Sequence, residues 1–150
     1  MKKLTLATAF AALAAPALAQ DPSGDAAAGE EIFNRQCATC HVVVNDAGET
    51  LAGRNAQTGP NLYGVAGRTP GTWDDFNYSD SMVEYGETGA VWEEATFVPY
   101  VQDPTGFLRE ALDARRARGT MAFQVRSEDD AHDVWAFPYS PAPPEGDGGS

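Results

Sequence analysis

Cys37-Ala38-Thr39-Cys40-His41 reads C-x-x-C-H, and a chain that carries this pentapeptide has to fold around whatever its side chains hold. Two thiols at this spacing can add across two vinyl groups of a haem, and the adjacent histidine then reaches the iron from the same side of the porphyrin. This is the attachment signature of a c-type haem. Three other readings compete. A thioredoxin-like redox pair needs a βαβ context, whereas the flanks here look helical. A structural zinc site takes four ligands, and Cys37, Cys40, His41 and the distant His132 are the only soft candidates. A plain disulfide is the third. The chain has no other cysteine, so no disulfide framework competes for the fold.

Residues 1–19 read as a targeting segment rather than structure. Lys2 and Lys3 form a positive start, Leu4 to Leu18 is apolar and alanine-rich, and Ala17-Leu18-Ala19 is a small-x-small cleavage pattern before Gln20. No other segment is apolar for long enough to span a bilayer. The expected product is soluble, exported and periplasmic, without a stable membrane anchor. The export also changes the charge. Lys2 and Lys3 are the only lysines, so from residue 20 onward 8 arginines face 22 carboxylates, a formal charge of −14. Nucleic acid and anionic lipid are poor partners for such a surface. Length places residues 20–140 in one domain. The Pro/Gly-rich tail at 141–150 is expected to be disordered.

Along the chain, Asp25 to Gln36 is predicted helical with Asp25 as N-cap. Gly29 costs about 1 kcal/mol inside a helix relative to Ala, which close approach of another helix would explain. Val42 to Val44 lead into a turn at Asn45-Asp46-Ala47-Gly48. Residues 49–72 read as loops and Trp73 to Met82 as an irregular aromatic run. Trp92 to Val101 is a weak helix, with Thr96 as N-cap so that Pro99 falls in its first turn. Pro104 and Thr105 open a helix over Gly106 to Arg118, with Phe107, Leu108, Ala111 and Leu112 at helical spacing. Ser127 to Asp130 resembles a capping box, and the last helix is predicted to reach about Phe137, limited by Pro138. Convincing strands are absent.

A six-coordinate electron-transfer haem needs a ligand opposite His41. Beyond the targeting segment the candidates are Met82, Met121 and His132. Met121 lies in Gly119-Thr120-Met121-Ala122-Phe123, just past a predicted helix end, on a loop free to fold over a haem. Met82 follows the aromatic run and reads as a wall residue. His132 sits on an acidic helix face and reads as solvated. Methionine opposite histidine raises the reduction potential.

Together these residues resemble class I cytochrome c, of the bacterial cytochrome c2 and cytochrome c-550 type. The resemblance spans nearly all of residues 25–140. It is carried by Gly29 and Phe33, Cys37 to His41, Thr58 to Gly64, Gly67-Arg68, Phe76 to Ser81, Trp92, Asp103-Pro104, Phe107-Leu108 and Met121-Ala122-Phe123. It implies an all-α fold of several short helices and loops wrapped around one covalently bound haem c, with His41 and Met121 on the iron. It implies that the Pro60 carbonyl accepts the His41 N–H, which fixes the tautomer. It also implies that Arg68, Tyr78 and Trp92 meet the haem propionates, and that Val134 and Phe137 face Gly29 and Phe33 across a helix crossing.

The implied function is one-electron transfer, without catalysis, by a soluble monomer. Its partners would be a cytochrome bc complex, a terminal oxidase or a photosynthetic reaction centre. Two other readings stand beside it: a dedicated subunit of one periplasmic dehydrogenase complex, and a haem sensor or peroxidase-like enzyme in which Met121 dissociates. Three departures from the resemblance bear on the partner and on helix lengths. The lysines expected around the haem edge are missing, and Pro99 and Pro138 are expected to interrupt helices.

Overall fold

The structure, a computed structural model, describes residues 21–139. The targeting segment at 1–19 and the tail at 141–150 lie outside the described residues. Five helices, α1 (Ala26–Ile32), α2 (Asp80–Glu87), α3 (Glu94–Gln102), α4 (Pro104–Ala111) and α5 (Glu128–Tyr139), are joined by long loops and one small hairpin. None of them is long and apolar enough to cross a membrane.

Asp25 starts α1 as expected, its carboxylate accepting the N–H groups of Ala27 and Ala28 at 2.8 and 3.1 Å. The helix then widens into one turn of π-helix, Phe33–Cys37. Such turns interrupt α-helices mostly at functional sites, and this one delivers Cys37. Gly29 is buried where α1 crosses α5. A β-carbon placed on it would collide with the Asp133 carbonyl oxygen and lie 3.1 Å from the Phe137 β-carbon. One turn on, Phe33 is fully buried, its ring 5.5 Å from that of Phe137. The crossing expected from the sequence is therefore present, and only a bare backbone fits it.

Aromatic rings make the contacts between several helices of the core. Trp92 packs 4.9 Å from Tyr100, Tyr85 lies 5.3 Å from Phe107, and Phe97 lies 5.1 Å from Trp135. These rings tie α2, α3, α4 and α5 together. Edge-on and tilted pairs of this kind add about 0.5–1.5 kcal/mol each beyond the area they bury.

Three local expectations change first. Val43–Val44 and Thr50–Ala52 pair antiparallel as β1 and β2, with a bulge in the register. The turn between them is the expected one: Asn45 Oδ1 accepts from Ala47 and Glu49, and Gly48 takes φ +80°. Two- and three-residue strands are too short to show an alternating pattern. Helix α2 starts in the last three residues of the run read as irregular and continues to Glu87, with Ser79 as its N-cap at 3.3 Å from the Met82 N–H. Helix α4 ends at Ala111 rather than Arg118, because Asp113 turns left-handed at φ 48°, a conformation that Asp tolerates better than most residues.

The prolines do not interrupt their helices. α3 is capped by Glu93, with Thr96 in its first turn receiving the Glu93 N–H at 3.1 Å. Pro99 thus sits inside the helix. Both Pro99 and Ala95, whose carbonyl loses its partner, face solvent, so water satisfies that oxygen. Pro138 lies in the last turn of α5.

His132 is not simply solvated. Its Nδ1 lies 2.6 Å from Glu94 Oε1 and 2.9 Å from Ser23 Oγ, which itself donates to Glu94 at 2.5 Å. These contacts fasten the start of the described chain to α3 and α5. Burial alone would raise the Glu94 carboxyl, but the Ser23 donors, with His132, more than offset it and hold the group below the ordinary carboxylate range. A carboxylate depressed in the folded state stabilises above its unfolded value, and that stability is lost as pH falls through the folded value. Urea midpoints taken from pH 7 down to pH 3 should therefore drop more for the parent than for Glu94→Gln. The difference should be about 1 kcal/mol, the scale of a partly exposed pair. Parallel curves would show that the cluster carries no pH-dependent stability.

Candidate functional site

The π-turn ends in a tight bend in which the N–H groups of Cys40 and His41 both reach the Cys37 carbonyl, at 3.0 and 2.9 Å. This bend brings Cys37, Cys40 and His41 to the wall of one cavity of about 590 Å³, within the ~300–1,000 Å³ usual for cofactor-sized sites.

A second segment locks the histidine. Gly59 N–H donates to the Cys40 carbonyl at 2.7 Å and Leu62 N–H to Val42 at 2.9 Å. Asn61 brackets Val44, accepting its N–H at 3.0 Å and donating to its carbonyl at 2.7 Å. Between them, Pro60 O lies 2.9 Å from His41 Nδ1. A carbonyl can only accept, so Nδ1 carries the proton and the Nε2 lone pair is left for a metal. Burial lowers the pKa of His41 and the Pro60 bond restores part of the shift, which keeps the ring neutral. Gly59 packs flat on the imidazole: a β-carbon there would stand 2.6 Å from Nδ1 and 2.7 Å from Nε2.

Met121 and Met82 both line the cavity. Met82 is 5 % exposed and fixed in the core on α2, whereas Met121 sits on an irregular segment and is partly buried. His132 does not line the cavity. Arg68, Tyr78 and Trp92 all do. Arg68 donates to the carbonyls of Asn61, at 2.9 Å, and Tyr63, and its guanidinium lies 4.7 Å above the Trp73 ring. Burial raises the Tyr78 phenol, and the Arg68 charge offsets part of that rise.

Tyr100 belongs to the same wall and is not in the set read from the sequence. Burial pushes its phenol far above the ordinary range, so it can serve only as a neutral hydroxyl. In the sequence it is one aromatic among many on a helix that Pro99 makes look weak.

The donor set fits a covalently held haem. Two thiols and an imidazole with a free Nε2 share a wall of the cavity, a thioether lies on its lining, and the rest is largely apolar with Arg68 and Tyr78 among it. Burial first, and Cys40 beside it, push the Cys37 thiol up to about 11. A reactive dithiol needs the opposite shift, which argues against the thioredoxin-like reading. Among the described residues, no carboxylate lines the cavity, although the chain carries 22.

The family model for cytochrome c matches residues 26–137. Cytochrome c2 of Rhodovulum adriaticum is 62% identical over 117 residues, covering 78% of this chain and 92% of the relative. Cytochrome c2 of Cereibacter sphaeroides is 55% identical over 138 residues, covering 91% and 92%. Among solved structures, cytochrome c2 from Rhodobacter sphaeroides superposes with a TM-score of 0.74 at 54% identity, over 77% of this chain and 94% of that one. Ferric cytochrome c-550 from Paracoccus versutus gives 0.72 at 38% identity, over 78% and 97%.

Proposed function

We propose how this protein works from one premise, that the chain belongs to the cytochrome c family: it is a one-electron carrier with one covalently bound haem c. In this reading Cys37 and Cys40 would attach the haem, and His41 and Met121 would hold its iron. The observation that carries it is the meeting of those four side chains on one largely apolar cavity, with the His41 tautomer set by Pro60. When bound, the haem supplies the one-electron couple of its iron.

The chain's own residues set the conditions for that couple. His41 donates its Nδ1–H to the Pro60 carbonyl and presents Nε2, a bond that holds the ring's orientation and raises its basicity. Met121 offers a soft neutral thioether, which favours the reduced state and raises the potential. Arg68 and Tyr78 supply donors for the propionates, whose burial without partners would be expensive. Trp92, Tyr100 and Phe97 exclude water from the same space. In this reading no substrate bond is made or broken, so the protein is a carrier and not an enzyme. The dedicated-subunit, sensor and peroxidase readings are not favoured by relatives named cytochrome c2.

The location we propose is the periplasm. The partners are membrane-bound redox proteins such as a cytochrome bc complex, a terminal oxidase or a photosynthetic reaction centre. Missing lysines and a charge of −14 beyond residue 20 argue against long-range attraction to acidic partners. Arg115, Arg116 and Arg118 form only a local basic cluster. The test is rapid mixing of the reduced holoprotein with an oxidised acidic acceptor over a series of salt concentrations. Full, reversible one-electron oxidation is expected, with a rate that stays flat or rises as salt is added. Steering by opposite charge would give the reverse, a rate up to about 10–10³-fold higher at low salt. A steep fall in rate with added salt overturns this reading of the surface, and failure to cycle reversibly overturns the carrier.

A further inference from the structure

Met121 is carried by a strap with very few attachments. Among the described residues, no hydrogen bond holds any backbone or side-chain group of residues 119–124. Thr120, Ala122, Phe123 and Gln124 are exposed, and Met121 is only partly buried. The nearest fully buried anchors are Ala117 at one end and Val125 at the other. Segments with few buried contacts and no internal bonds open at low cost. Two hydrogen bonds close the ends of this strap. Val125 N–H donates to the Val101 carbonyl at 2.8 Å, and Arg118 N–H donates to Ser81 Oγ at 3.1 Å.

The second of these comes from a side chain that its own helix does not need. Ser79 already caps α2, and alanine would suit a helical position such as 81 better than serine. The partner of the Ser81 hydroxyl is the Arg118 N–H, 37 residues away in sequence and three residues before Met121. A local preference broken for one long-range contact points to a role for that contact.

We propose that Ser81 is a positioning residue for Met121. Its hydroxyl fixes the start of the strap and so holds the thioether in the cavity, setting how readily another ligand displaces it. The assignment rests on the reading of Met121 as axial ligand. Opening the strap breaks the Ser81 bond and exposes the iron face that Met121 covers, so a weaker staple means easier displacement.

The test uses the oxidised holoprotein titrated with imidazole, following loss of the weak far-red sulfur-to-iron band, for the parent, Ser81→Ala and Ser81→Thr. Ser81→Ala should bind imidazole roughly 2- to 12-fold more tightly, the net worth of one neutral hydrogen bond, while its far-red band before titration stays that of the parent. Ser81→Thr, which keeps the hydroxyl, should return to the parent affinity. Equal affinities for the parent and Ser81→Ala overturn the role of Ser81. A threonine variant as weakly stapled as the alanine variant does the same. A parent without the far-red band overturns the Met121 ligation itself, and this assignment with it.

Discussion

Replacement of Met121 by alanine is expected to abolish the far-red sulfur-to-iron band of the oxidised protein and to lower its reduction potential by a few tenths of a volt, within the about 0.8 V that axial ligands command. Thioether sulfur is a neutral, soft donor that favours the reduced iron. Water or a distant histidine cannot replace it in kind. His132 is held by Glu94 and Ser23 outside the cavity, and Met82 is fixed in the core at 5 % exposure. The fold should survive the change, because Met121 sits on a strap whose buried anchors are Ala117 and Val125. Far-red absorption and potentiometry of the variant check the assignment. If the variant keeps both the band and the potential, Met121 is not the ligand and Met82 becomes the candidate.

The second large effect is structural. Gly29→Val should destabilise the protein by about 3 kcal/mol, the upper end of the usual cost of overpacking. The obstacle is backbone rather than a movable side chain, since even a β-carbon at this position meets the Asp133 carbonyl. Gly24 is constrained in the same way against His132 and Asp133, and Asp25 N–H donates to Asp133 Oδ1 at 2.7 Å. The first helix is thus laid directly on the backbone of α5, and relief requires moving one helix away from the other. Phe137→Ala should cost less than the ~3–5 kcal/mol of a fully buried phenylalanine, because Phe137 is only half-buried. Urea unfolding of the holoprotein measures both. A Gly29→Val midpoint equal to that of the parent would mean that the crossing yields without cost.

Much of the site is legible in the sequence because covalent chemistry writes short motifs. C-x-x-C-H points to a cofactor class before any fold is known, and the Gly59-Pro60 pair brings a carbonyl and a bare backbone against the same imidazole. Met121 stands out because few residues beyond the targeting segment could serve opposite His41. Helix starts are legible where a side chain caps them, as at Asp25 and Ser127. Helix ends are less so: α4 stops because Asp113 adopts a left-handed conformation that leaves no glycine as a sign. α3 runs through Pro99 because solvent satisfies the carbonyl that the ring orphans, which depends on the face the proline occupies.

The sequence by itself determined the chemistry: the thiols, the imidazole, the candidate sulfurs, the strongly acidic surface and the bare glycine that demands a close neighbour. These depend on residue type and short spacing, so no fold is needed to read them. Only the tertiary structure decided which groups meet. It put Tyr100 on the cavity wall, took His132 away to Glu94, kept the described carboxylates off the lining, and pinned the Met121 strap to a serine on α2. The physical reason is that each of these is a contact between residues far apart in the chain, set by how the helices pack, and local sequence carries no record of such a distance.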